Sequence, residues 1–74
     1  MPSTAIADIE YDPERTRLTI TFMSGRIYDY YGVPLEVVAD FQSASSKGAF
    51  FNTRIRDRYR YEEITRIEAG IKPE

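Results

Sequence analysis

The sequence contains no cysteine, no histidine and no tryptophan. Without cysteine, neither a disulfide nor a thiolate-held zinc ion can staple the chain. Without histidine, no serine has the usual base to activate it. Long apolar runs are also missing; nothing approaches the ~20 residues that cross a bilayer. The opening Met1-Pro2-Ser3-Thr4 has no basic stretch followed by an apolar one, so no signal peptide is read. No Walker or dinucleotide-binding glycine pattern occurs, nor any internal repeat or low-complexity segment. These absences point to a soluble, cytoplasmic protein with no membrane partner, no cofactor, no metal and no catalytic residues.

What the sequence does contain is compact. Its 74 residues suffice for one domain. Ordering each residue of so short a chain costs roughly 1.5 kcal/mol of conformational entropy, so packing must be efficient or be helped by self-association. The 14% aromatic content serves that end, because a buried ring removes much area from water.

The formal net charge is −2, but the charges are segregated. Residues 1–42 hold three basic side chains, Arg15, Arg17 and Arg26, against seven acidic ones, a net of −4. Residues 43–61 hold Lys47, Arg54, Arg56, Arg58 and Arg60 against Asp57 alone, a net of +4. Residues 62–74 return to −2. A cationic segment between acidic ones marks either an anion-binding face or a surface whose charges pair within the molecule.

Hydrophobic periodicity gives the elements. In residues 5–11, Ala7, Ile9 and Tyr11 alternate with Asp8 and Glu10, the period of a half-buried strand. Asp12-Pro13-Glu14-Arg15 reads as a turn. Leu18, Ile20 and Phe22 then alternate with Arg17, Thr19 and Thr21. Ser24-Gly25 is a hairpin signal. Residues 26–31 form a third strand with Tyr28 and Tyr30 on one face and Ile27, Asp29 and Tyr31 on the other. Gly32-Val33-Pro34 ends the sheet, and Pro34 suits the first position of a helix. Val37, Val38, Phe41 and Ala44 mark that helix's apolar stripe. Beyond it, Phe51, Ile55 and Tyr59 at i, i+4, i+8 predict a second helix, with Arg54 and Arg58 one turn apart on a shared face. The expected fold is α+β: a three-stranded antiparallel meander with two helices packed on one face. The domain is expected over residues 3–61, followed by a tail over 62–74 that is either helical or disordered.

Two features could carry a ligand. The first is Ser43-Ala44-Ser45-Ser46-Lys47-Gly48, which should open the second helix. Unpaired N–H groups there suit a phosphate, and Gly48 allows close backbone approach. Arg54, Arg56 and Arg58 add charge-assisted donors. The plainer alternative is that Ser45 or Ser46 is simply an N-cap. The second feature is the Tyr28 and Tyr30 pair, two rings on one strand face, fit either to stack unpaired bases or to pack under a helix. Arg54, Arg56, Arg58 and Arg60, interleaved with Tyr59 and Tyr61, would also suit a protein interface or an isologous dimer. Ser46 and Lys47 are neighbours with no supporting group to make a catalytic dyad. Asp8, Glu10 and Asp12 are better read as the wet side of a strand than as metal ligands.

The order of landmarks is informative. Ile9-Glu10-Tyr11-Asp12 precedes Leu18-Thr19-Ile20-Thr21-Phe22. Ser24-Gly25, Tyr28-Asp29-Tyr30 and Gly32-Val33-Pro34 follow, then Ala44-Ser45-Ser46-Lys47-Gly48, Phe51-Asn52 and Ile55-Arg56. This series resembles the KTSC domain, named for its place at the C-terminus of some lysyl-tRNA synthetases and found also as a lone domain in bacterial and phage proteins. The resemblance covers residues 3–61. It implies no catalytic residues, and RNA binding only through the synthetase context. Its landmarks here are Tyr28, Tyr30, Ser46, Lys47, Gly48, Asn52 and Arg56. The expected function is therefore binding of an anion, RNA or a nucleotide-like molecule, through Tyr28, Tyr30, Ser45, Ser46, Lys47, Gly48, Asn52, Arg54, Arg56 and Arg58. The alternative is a protein-interaction module or small homo-oligomer.

Overall fold

The computed structural model describes residues 5–64. The chain forms β1 (Ile6–Asp12), β2 (Arg17–Phe22), β3 (Ile27–Tyr31), α1 (Leu35–Ser43) and a short α2 (Lys47–Phe50). A π-helical turn (Phe51–Ile55) follows α2 directly, and the chain returns to the sheet as β4 (Arg60–Ile64). The sheet is antiparallel throughout, in the order β1-β2-β3-β4. The α+β architecture is as expected, but the sheet has four strands rather than three. β4 crosses the position after Tyr61 where the domain was expected to end. Residues 62–64 of the expected tail, read as helical or disordered, belong to this strand; the rest of that tail lies outside the described residues.

Register explains which side chains meet. Leu18 pairs with Tyr30 and Ile20 with Tyr28, while Tyr11 and Ile9 pair with Leu18 and Ile20 from the other side. Facing residues of paired strands share a face, so these six side chains form one surface. A bulge between Ile6 and Asp8 shifts the start of β1. It brings Ile6, rather than the expected Ala7, onto the core side, where Ile6 packs against the buried cluster. Asp8 and Glu10 are exposed, as the alternation requires.

The core lies between this surface and the helical segment: Leu18, Ile20, Tyr30, Val33, Val38, Phe41, Phe51 and Ile55. α1 contributes Val38 and Phe41, with Val37 at the margin. Pro34 stands one position earlier than expected, as the extended N-cap whose carbonyl accepts from Val37 and Val38. The Tyr11 hydroxyl donates to the Val33 carbonyl at 2.6 Å, tying the strand-to-helix connection to β1. Phe41 and Phe50 stack at 5.3 Å and join α1 to α2.

The opposite face of the sheet is polar and self-paired. Thr19 donates to Asp29 at 2.6 Å, and Arg17 lies between Asp12 and Asp29 at 3.8 and 3.9 Å. Among the described residues no helix is long and apolar enough to cross a membrane.

Candidate functional site

The helical segment after Gly48 does not continue to Tyr59. The Arg56 N–H reaches back five residues to the Phe51 carbonyl at 2.8 Å, a wide turn in place of an α-helical one. The turn still buries both Phe51 and Ile55, as their apolar spacing predicts, but on a π-helical rather than an α-helical backbone. Arg56 then leaves in an extended conformation, and Asp57 takes a left-handed one at φ 70°. Aspartate tolerates that region better than most residues. The Arg58 N–H closes the turn on the Ile55 carbonyl at 3.0 Å. The chain reverses here and lays β4 beside β3. Arg54 and Arg58 therefore do not share a helix face, and Tyr59 lies in a bend, half-buried against the core.

This reversal opens a cleft of about 450 Å³ between the π-helical turn and the helix-side face of the sheet. Its sheet wall is aromatic. Tyr30 pairs with Tyr61 and Tyr28 with Glu63 across β3 and β4. Tyr30 and Tyr61 stack with centroids 5.5 Å apart and planes 29° from parallel; Tyr28 lies 5.7 Å from Tyr61 and 6.4 Å from Tyr30. Phe51 meets both Tyr30 and Phe22 edge-on, at 5.6 and 5.3 Å, and joins the rings to the core. The helical wall carries Asn52, Arg56 and Asp57, and the Arg56 guanidinium donates to the Asn52 side-chain oxygen at 3.3 Å. The β2–β3 turn closes one end with Met23, Ser24 and Arg26, and Arg26 lies 3.6 Å from Glu63.

Tyr30, at the floor of the cleft, is buried. Burial, with the neighbouring Tyr28 and Tyr61 phenols, pushes the Tyr30 hydroxyl up to about 12. On the far face of the sheet, a hydrogen bond to Glu62 at 3.0 Å raises Tyr31 above its ordinary value.

The expected site residues divide into two groups. Tyr28, Tyr30, Asn52 and Arg56 come together in the cleft. Of the two readings of the tyrosine pair, packing under the helical segment holds for Tyr30, a core residue, and both rings also line the cleft. Ser45, Ser46, Lys47 and Gly48 are not among its lining residues. The Ser46 hydroxyl accepts from the Ala49 N–H at 3.2 Å as the N-cap of α2, and Lys47 instead borders a shallow depression with residues of β1 and Gln42. Arg54 sits 5.1 Å over the Phe50 ring, away from the cleft. Arg58 is exposed in the reversing turn and does not line the cleft either. Tyr61, Asp57, Arg26 and Met23 belong to the cleft but not to the expected set. Their only signal in the sequence was the arginine–tyrosine interleaving around Tyr61. Asp8 and Glu10 stay on the exposed side of β1, and Asp12 is held by Arg15 and Arg17. Among the described residues no group of three carboxylates gathers to hold a metal ion.

Comparison with known proteins agrees with this architecture. A family model described as the KTSC domain matches residues 2–59. A lysine–tRNA ligase from a Nostoc species is 40% identical over 55 residues, which is 74% of this chain but only 10% of the ligase. The chain thus spans about a tenth of that relative's length. A protein from Tsukamurella paurometabola is 41% identical over 58 residues, covering 78% of this chain and 87% of its own. The crystal structure of a KTSC domain protein from Yersinia pestis superimposes with a TM-score of 0.79 at 38% identity, covering 88% of this chain and 92% of that one. With the family model spanning most of the chain and the same fold in a solved relative, this protein belongs to the KTSC domain family.

Proposed function

We propose that this domain is a binding module for RNA or a nucleotide-like anion, not an enzyme, and that the aromatic cleft, with Arg56 and Arg26 in its lining, is the binding face. One observation carries the reading. Arg15, Arg17 and Arg26 each lie within ion-pair distance of a carboxylate. Arg54, Arg56, Arg58 and Arg60, clustered in the segment that forms the cleft's helical wall and β4, form no ion pair with any described residue. Among the described residues, pairing with carboxylates therefore accounts for the arginines of the first half and not for those of the second. Guanidinium groups beside an aromatic surface suit phosphates and bases together. The match to a segment of a lysine–tRNA ligase, whose name places it with tRNA, supports the same ligand class.

The test is fluorescence anisotropy of a labelled single-stranded RNA against salt. Binding should weaken steeply between about 50 and 200 mM salt, because each neutralised phosphate releases counterions. Arg56→Ala should weaken it more than Arg54→Ala or Arg58→Ala, whose side chains do not line the cleft. An absence of binding even at low salt counts decisively against the reading.

A second reading, a protein-interaction module or small homo-oligomer, has its own support. Among the described residues β1 and β4 each pair on one side only, and every residue of β4 is exposed. Such edges are templates for strand addition. Native mass spectrometry checks it: a species well above 8.6 kDa favours this reading, and a monomer opposes self-association.

A further inference from the structure

We infer that the cleft seats one unpaired nucleobase on the outer face of Tyr61, which makes the preferred ligand single-stranded rather than duplex nucleic acid. This rests on the nucleic-acid reading above and narrows it.

The argument begins with what is exposed. Four large apolar or aromatic side chains stand out among the described residues: Met23, Leu35, Tyr61 and Ile64. Two of them, Met23 at 68% and Tyr61 at 57% exposure, line the same cleft. The Tyr61 ring is held from behind, stacked on buried Tyr30 and flanked by Tyr28. An aromatic ring fixed on one face and open on the other loses little conformational freedom when a flat partner covers it. Met23 adds a polarizable thioether at the turn-side border, a good neighbour for an aromatic ring.

Strand pairing does not require tyrosine at this position. The other residues of β4 are Arg60, Glu62, Glu63 and Ile64, all exposed, and the strand pairs through its backbone. A smaller or more polar side chain would leave that pairing intact.

Charge limits how much ligand enters. Arg56 and Arg26 offer positive charge at the cleft, but Asp57 lines it too, and Glu63 lies beside Arg26. A run of phosphates inside would meet these carboxylates. A single base in the cleft, with its phosphate at Arg56 and the rest of the strand outside the cleft, avoids that repulsion. A duplex keeps its bases paired and stacked within itself, so it has no base face to offer Tyr61.

The experiment compares one labelled RNA, alone and annealed to its complement, on the wild-type chain and on Tyr61→Ala and Tyr61→Phe. Loss of one stacked base should weaken single-stranded binding by about 5- to 150-fold in Tyr61→Ala. Tyr61→Phe should match wild type, and the duplex should bind wild type more weakly than the single strand. Should Tyr61→Ala prove unfolded by circular dichroism, the Tyr61 ring proton resonances of the wild type decide: they shift upfield on adding the single strand if a base stacks there. Salt-sensitive RNA binding with unshifted Tyr61 resonances, or equal affinity for duplex and single strand, overturns the stacking inference and leaves the binding reading standing. No binding of either RNA overturns both.

Discussion

The cationic segment holds two candidate anion sites, the loop at Lys47 and the turn at Arg56, and they differ in structure. At the start of α2, the serine-rich loop directs its chemistry inward: the Ser46 hydroxyl satisfies a backbone N–H of its own helix, and α2 is only four residues long. On the π-helical turn and just beyond it, Asn52 and Arg56 line a cleft whose opposite wall is three tyrosine rings. The first region uses its Ser46 hydroxyl as a cap for the Ala49 N–H. The second combines cationic donors with an exposed ring face that the fold does not use. Residue type alone does not separate a cap from a site; what matters is where each donor's partner lies.

The largest effect expected is on the link between the two regions. Phe51 follows α2, is buried, and meets Phe22 and Tyr30 edge-on. Phe51→Ala should cost about 3–5 kcal/mol by chemical denaturation. That would remove most of the stability of a small domain and the cleft with it. A loss under about 1 kcal/mol would mean that the cleft wall is not built on this ring.

Next comes an alkaline asymmetry. The Tyr30 phenol is raised from its ordinary 10 to about 12 by burial and by its neighbouring phenols. A group whose folded pKa is raised contributes stability that is complete below its unfolded pKa and is lost as pH climbs through the folded one. The domain should therefore lose stability between about pH 10 and pH 12. Tyr30→Phe should flatten that decline, because no phenol remains to ionise. A pH titration followed by circular dichroism compares the two chains, and identical alkaline profiles would mean that the cleft floor is wetter than the packing indicates.

The smallest effect belongs to the helix start. Ser46→Ala should cost about 1 kcal/mol of stability through the lost cap and leave RNA affinity where it was. A drop in affinity at unchanged stability would return the phosphate site to this loop and break the contrast between the regions.

Much of this was legible in the sequence. The first three strands announce themselves by alternation, broken only at the β1 bulge and in β3, and the faces of Leu18, Ile20, Tyr28 and Tyr30 follow from it. Val38 and Phe41 fix the buried side of α1. β4 was not legible, since Arg60-Tyr61-Glu62-Glu63-Ile64 is exposed throughout and no alternation marks which side faces the core. Phe51 and Ile55 correctly signalled a buried helical face, but spacing cannot distinguish an α-helical turn from a π-helical one. The left-handed Asp57 that ends the run left no pattern either. These two local features assemble the cleft, so Tyr28, Tyr30, Asn52 and Arg56 could be named individually, while Tyr61, which arrives on the unforeseen strand, could not be placed beside them.

The central claim is that the cleft, not the helix start, is where the anion binds. Parallel salt titrations of single-stranded RNA binding by wild type, Arg56→Ala and Lys47→Ala test it most directly. The account predicts that Arg56→Ala weakens binding and lowers the slope of log affinity against log salt by about 0.7, the signature of one lost phosphate contact, while Lys47→Ala follows the wild-type line. A Lys47→Ala chain that loses affinity and slope while Arg56→Ala follows wild type would contradict it.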